Sequence, residues 1–322
     1  MPDTRFDDYY AIIPHPTAPA IFLLKSEDSW TLPKATVPLS PSDGRWRDAF
    51  RVNAAFHHLL GITVTMLECL FVSPFPSAGQ HGSSVFVMSN HDLEWTAPPE
   101  GAWVPRETLE TLSFVIPEHR LLLETWLTQT TSSKTNGLPW TRDGWFEEAS
   151  AWIQAQLHRQ DLTATGPIEQ TRSWFISSIL RVSTTTGEVY FKTVPLADVH
   201  EPLLTQWLST QYPTFVPQVL AIQEEQRWLL TKAVPGEKML PDANPLDYLP
   251  RWKTLLQTYA LLQRDIAPHL EKLLALGCHD WRLESLAERI DPFFAELPVL
   301  LQGAWNPLTE EEQDHLLRLA PV

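Results

Sequence analysis

The stretch "WFISSILRVSTTTGEVYFKTVP", residues 174–195, decides how this chain is read. Two runs rich in β-branched and aromatic residues flank TTTGE, a glycine-bearing connection of the kind that joins hairpin strands. Within EVYFKTV the two-residue period of a strand puts Tyr190, Lys192 and Val194 on one face, with Val189, Phe191 and Thr193 on the other. A lysine among aromatics on a strand either reaches water as an edge charge or meets an anion. Shortly afterwards Glu201 opens a helical stretch, HEPLLTQWLSTQYP. Its carboxylate can hold the ammonium or complement the positive end of the helix. Two more strand patterns follow, PQVLAIQ and RWLLTKAV, joined by a short polar EEQ.

Outward from this hairpin, DGWFEEASAWIQAQLHRQ reads as an amphipathic helix with Trp145, Ala149, Trp152, Ile153 and Leu157 on one face. Beyond RWLLTKAV the pattern is helical, and Thr309 with Glu312 forms a capping box for a last helix. Toward the N-terminus, TQTTSSKTNGLPW is a polar cluster closed by Asn-Gly and Leu-Pro, the signature of a seam. Ahead of it, YYAIIPH and AIFLLKS read as paired strands, and TVTMLECLFVS and SSVFVMSN as two more. RWRDAFRVNAAFHHLLGI reads as a helix with Phe50, Ala54, Leu59 and Leu60 at helical spacing. WVPRETLETLSF and PEHRLLLETWLT read as short helices. The expected organisation is α+β: a mixed domain over 1–127, a linker over 128–139, a strand-rich lobe with its leading helix over 140–235, and helices over 236–322.

Composition narrows the function. The 322 residues carry a net charge of −15 with no basic run, which disfavours a nucleic-acid partner. A nucleotide needs only a local cation. Two distant cysteines, Cys69 and Cys278, give neither a zinc spacing nor a disulfide framework, as expected of a reducing compartment. No apolar run reaches the roughly 20 residues of a membrane span, and MPDTRFDDYY lacks a signal core, so a cytoplasmic location is expected.

The order of elements from residue 140 onward resembles the aminoglycoside phosphotransferase and choline kinase superfamily, which has a protein-kinase-like fold. The resemblance rests on GEVYFKTVP, HEPLLTQWLS and VPQVLAIQEEQRWLLTKAVPG. It implies that Lys192 contacts the α/β-phosphates of ATP and that Glu201 holds its ammonium. It also implies that Leu230, Thr231, Lys232 and Ala233 present backbone groups to the adenine edge, and that residues 170–174 form a loop over the phosphates. Phosphoryl transfer is mostly positioning and charge stabilisation, which a strand-borne lysine supplies. The family's catalytic loop, His-Gly-Asp-x-x-x-x-Asn, and its later metal-binding Asp have no counterpart. CHDWRLESL lacks the glycine and the asparagine and reads as a solvated turn between helices. No catalytic or metal residue is therefore assigned. The expectation is a chain that ends before the catalytic loop and binds nucleotide weakly at best. Mg²⁺ and a small hydroxyl-bearing acceptor are expected only in a full-length relative.

The front region resembles the Nudix fold on WTLP and on LLGI at the end of its helix. Aligning the Nudix box on Gly61 puts Ile62 and Phe56 at its apolar positions. Its arginine falls on Ala54, its glutamates on Ala55, His58, Leu59 and Trp46, and its first glycine on Ser40. Pyrophosphate hydrolysis there needs several carboxylates around Mg²⁺, so the resemblance implies a scaffold without that chemistry. His57, His58, His81 and His91 lack the partners of a metal site. Two functional readings stand: a phosphotransferase-lineage kinase lacking its catalytic loop, or a non-catalytic nucleotide- or protein-binding pseudo-enzyme with a degenerate Nudix domain.

Overall fold

The computed structural model describes residues 5–39, 47–74, 76–77, 80–131, 138–236, 245–300 and 309–319. Its fold is α+β. In the front region, the middle strands of the larger sheet are buried on both faces and form a central layer. The strands are β1 (Arg5–Ile12), β2 (Ala20–Ser26), β3 (Ser29–Thr31), β4 (Lys34–Leu39), β5 (Val64–Val72), β6 (His81–Asn90) and β7 (Gly101–Pro105). They make a four-stranded sheet, β4-β1-β6-β5, in which β1 and β6 run parallel, and a three-stranded antiparallel sheet, β3-β2-β7. Alternation along β1 sends Tyr9 and Ala11 into one core and Tyr10 and Ile12 into another. The first core is roofed by α1 (Ala49–Leu60), the second by α2 (Pro117–Thr131) through Leu123.

Three expectations for this region change. YYAIIPH and AIFLLKS do not pair as neighbouring strands. They meet around Ile13 and Phe22, whose backbones bond at 2.9 Å, and then diverge into different sheets. Both runs are apolar on both faces, so periodicity cannot choose their partners. In α1 the buried stripe is Ala49, Val52 and Phe56, whereas Phe50 and Leu59 are exposed. WVPRETLETLSF supplies β7 before a short 3₁₀ turn, Arg106–Thr111. The bounds of α1 have local causes. The Asp48 side chain accepts from the Arg51 N–H at 3.2 Å, and Gly61 closes the helix at φ +69°, a left-handed position that suits glycine.

The third sheet is antiparallel throughout: β8 (Ala164–Trp174), β9 (Ser177–Thr184), β10 (Gly187–Thr193), β11 (Val219–Gln223) and β12 (Trp228–Lys232), in the spatial order β11-β12-β10-β9-β8. The helix α4 (Glu201–Gln211) lies between β10 and β11 in the chain. One face is covered by α3 (Trp145–Arg159), whose Trp145, Ala149, Ile153 and Leu157 pack on Leu180, Val182, Val189, Phe191 and Leu230. Phe191 sits 5.5 Å from Trp228 and 5.8 Å from Trp152 in edge-on ring contacts.

By contacts the chain divides into Met1–Leu261 and Leu262–Val322. The expected seam at 128–139 lies inside the first unit, and its residues 132–137 are outside the described residues. Joining the five-stranded sheet to the four-stranded one within this unit is Gln170, 3% exposed. Its Oε1 accepts from the Met66 N–H (2.8 Å) and Asn53 Nδ2 (3.1 Å), and its Nε2 donates to the Met66 carbonyl (2.9 Å). A side-chain amide thus completes the outer edge of β5 as a neighbouring strand would. His91, between Thr65 (2.9 Å) and Glu147 (2.5 Å), ties the front region to the start of α3.

The helix α5 (Pro245–Ile266) runs across the division. The second unit holds α6 (Leu270–Ala275), α7 (Leu283–Leu300) and α8 (Glu310–Leu319). Ahead of α8, the Glu312 carboxylate accepts from the Thr309 N–H at 2.8 Å while the Thr309 hydroxyl accepts from the Glu312 N–H at 3.3 Å, the expected capping box. The CHDWR segment is an inter-helix turn in which half-buried Asp280 is held by Arg282. That hydrogen bond keeps the Asp280 carboxyl well below its ordinary range.

Candidate functional site

On β10 the pleat buries Val189, Phe191 and Thr193 against the α3 side and leaves Glu188, Tyr190 and Lys192 half-buried on the other. Cross-strand register surrounds Lys192 with apolar neighbours, Ile179 of β9 and Leu229 of β12. Its ammonium donates to Glu201 Oε1 from the first turn of α4. The lysine side chain keeps 31% and the glutamate 28% of their surface exposed. The pair is therefore neither sealed nor loose. One carboxylate fixes the rotamer, and solvent-facing N–H bonds remain for an anion.

The row beside it is ionic. Arg181 of β9, opposite Tyr190, donates to Glu169 at 2.6 Å and pairs with Glu188 at 3.3 Å, while the Tyr190 hydroxyl donates to Glu188 at 2.8 Å. Burial first, then the Glu188 hydrogen bond, pushes the Tyr190 phenol above its usual range. Arg181 also lies over the Phe50 ring of α1 at 5.7 Å. These charges satisfy one another, and Lys192 lies beside them with its own partner, Glu201.

The other expected residues are placed differently. Residues 170–174 do not form a loop over a ligand; they belong to β8, and the connection above the sheet is Phe175-Ile176, both exposed. The cause is legible in hindsight. ATGPIEQTRSW has no apolar alternation, and its strand character comes from pairing with β9 and from Gln170 reaching the front region. Leu230 and Thr231 lie inside the ladder between β10 and β11, the Lys232 N–H donates to the Gln218 carbonyl at 2.9 Å, and the Ala233 N–H donates to Glu188 at 2.9 Å. The amides of Lys232 and Ala233 are thus already engaged, and the first exposed backbone beyond them begins at Val234.

In the front region, the box positions Ala54, His58 and Leu59 lie on the exposed side of α1, and Ala55 is half-buried. Ser40 and Trp46 fall outside the described residues. His57 caps the helix end against the Ile62 carbonyl at 2.9 Å, His81 meets Asp8 at 3.3 Å, and His91 meets Glu147. Among the described residues no three His, Cys, Asp or Glu side chains gather in a metal-binding group. Nor is any described helix long and apolar enough to cross a membrane.

No protein-family model matches the chain, and no curated protein matches it. Solved structures that resemble part of it include three proteins. The Escherichia coli ORF135 protein has a TM-score of 0.30 and 17% identity, over 41% of this chain and 94% of that one. An ADP-ribose pyrophosphatase from Streptococcus suis has a TM-score of 0.28 and 14% identity, over 40% and 93%. The Nudix hydrolase RenU from M. smegmatis has a TM-score of 0.29 and 16% identity, over 42% and 91%. Likenesses of that extent do not establish a family for the chain.

Proposed function

We propose that this protein is a nucleotide-binding pseudo-enzyme. In this reading a kinase-like lobe takes the phosphates of ATP at Lys192, and a Nudix-like front region serves as scaffold. The carrying observation is the Lys192–Glu201 pair. Lys192 lies on the third strand of its sheet in chain order and Glu201 on the helix that follows, the arrangement by which kinases pin the phosphate-binding lysine. The fit is to phosphate, because a rotamer-fixed ammonium with open N–H bonds matches phosphate oxygens. It is not to magnesium. Glu201 is committed to the lysine, so no metal-dependent step is assigned here. Likewise α1 offers Ala54, Ala55, His58 and Leu59 where a Nudix hydrolase needs charged side chains, which supports a scaffold role.

Thermal unfolding with and without millimolar ATP tests the reading. A ligand at 100 times its Kd stabilises by about 2.7 kcal/mol, so the wild-type midpoint should rise and that of Lys192→Ala should not. A wild-type midpoint indifferent to ATP, or an equal rise in the variant, would remove Lys192 from any nucleotide site.

A further inference from the structure

A cavity of about 400 Å³ opens on the α2 side of the front region, the opposite side of the central layer from α1 and distant in sequence from Lys192. That size falls in the range of small-ligand sites, roughly 300–1,000 Å³. Its walls include the apolar side chains Ile21, Leu67, Val87 and Trp126. Four charged side chains join them: Glu68, Arg106, Arg142 and Asp143.

The cations are committed. Arg142 makes a two-pronged contact with Glu148 at 2.9 and 2.6 Å, and Arg106 donates to the Leu127 carbonyl at 2.9 Å. The carboxylates are not. Among the described residues neither Glu68 nor Asp143 has a hydrogen-bond or ion-pair partner. A bulge in β5 accounts for Glu68. The pairing shifts between Met66, opposite Met88, and Glu68, opposite Val87. That extra residue turns Glu68 toward the same side as Leu67 and Val87, and bulges commonly re-aim a side chain beside a site. Glu68 keeps solvent access at the cavity mouth, yet the surrounding apolar groups desolvate its carboxyl and push its pKa up.

We propose that this cavity binds a small primary amine on an apolar body, its ammonium taken by Glu68 and Asp143 and its body by Trp126 and the aliphatic wall. Calorimetric titration of the intact chain with phenethylamine tests it, beside 3-phenylpropionate, which has the same body and an acid head, and phenylalanine, which has both heads. Phenethylamine should bind, Glu68→Gln should weaken it at least tenfold, Asp143→Asn should weaken it measurably, and phenylpropionate should not compete. Phenylalanine binding more tightly than phenethylamine would indicate an amino-acid ligand, and weaker binding a simple amine. Both outcomes support an ammonium site. Absence of heat with either amine, equal binding by the Glu68 variant, or phenylpropionate binding as tightly as phenethylamine would overturn it. Both substitutions lie at the cavity surface, and unchanged circular dichroism verifies folding. The result is independent of ATP binding at Lys192.

Discussion

The helix α1 and the strand β10 carry opposite balances of packing and charge. In α1 every packing instruction is present: an Asp48 cap, a Gly61 stop, and Ala49, Val52 and Phe56 sealed into the core. The positions that would carry charge in the proposed Nudix-like reading hold alanine, histidine and leucine. In β10 the packing face is equally sound, with Phe191 inside an aromatic cluster, but the opposite face still carries Lys192 and its partner Glu201. The helix supplying that glutamate is weakly anchored, and Pro202 is its one buried residue. Burial, not surface charge, holds such a fold together. A half-exposed ion pair adds little stability, and the proposed role for this one is to meet an anionic ligand.

That contrast can be broken, beginning with the largest effect. Phe56→Ala in the front core and Phe191→Ala in the second should each cost about 3–5 kcal/mol. Because Gln170 joins the five-stranded sheet to β5 and His91 ties the front region to α3, both losses should appear in one cooperative transition of the first unit. Two separate transitions in chemical denaturation, each moved by its own variant, would show the sheets to be independent.

Gln170→Leu sharpens the same point. It removes the amide and leaves the Met66 N–H and carbonyl at the edge of β5 without their partner, for a loss of about 1–3 kcal/mol. Amide exchange at Met66 should accelerate in step. Exchange unchanged there would mean the amide contributes nothing to the edge.

A smaller effect belongs to Asp8 on β1. Burial alone would raise its carboxyl, but hydrogen bonds from Thr36 (2.6 Å), Lys34 (2.9 Å) and His81 (3.3 Å) outweigh it and hold the carboxyl below its ordinary value. A depressed carboxyl stabilises above its unfolded pKa, about 3.9, and that contribution fades as pH falls through the lower folded value. Asp8→Asn should therefore be less stable than wild type by under about 1 kcal/mol at neutral pH. The gap should close in acid. A gap that widened as pH fell would reverse the assignment.

Much of this was legible in the sequence, for identifiable reasons. Strands β9, β10, β11 and β12 and helices α3 and α4 announce themselves by period and turn chemistry, and the nearness of Lys192 to Glu201 follows from their order. Strand β8 does not. Its only buried positions are polar, Gln170 and Ser173, and the partner of Gln170 lies more than a hundred residues earlier in the chain. No local pattern encodes a side-chain amide standing in for a strand. The pairing of β1 and β2 was hidden for the complementary reason, since strands apolar on both faces give no hint of which neighbour they take. The cavity at Glu68 depends on a bulge, one extra residue that shifts register and that alternation cannot locate in advance.

The central claim is that the Lys192 ammonium faces nucleotide phosphate, and an ATP analogue carrying an acyl phosphate reports on it directly. Bound at that site, it should acylate Lys192 far faster than Lys25 or Lys34 of the front region, and excess ATP should abolish the labelling. Lys192 left unmodified, or modified no faster than Lys34 and insensitive to ATP, would contradict the account.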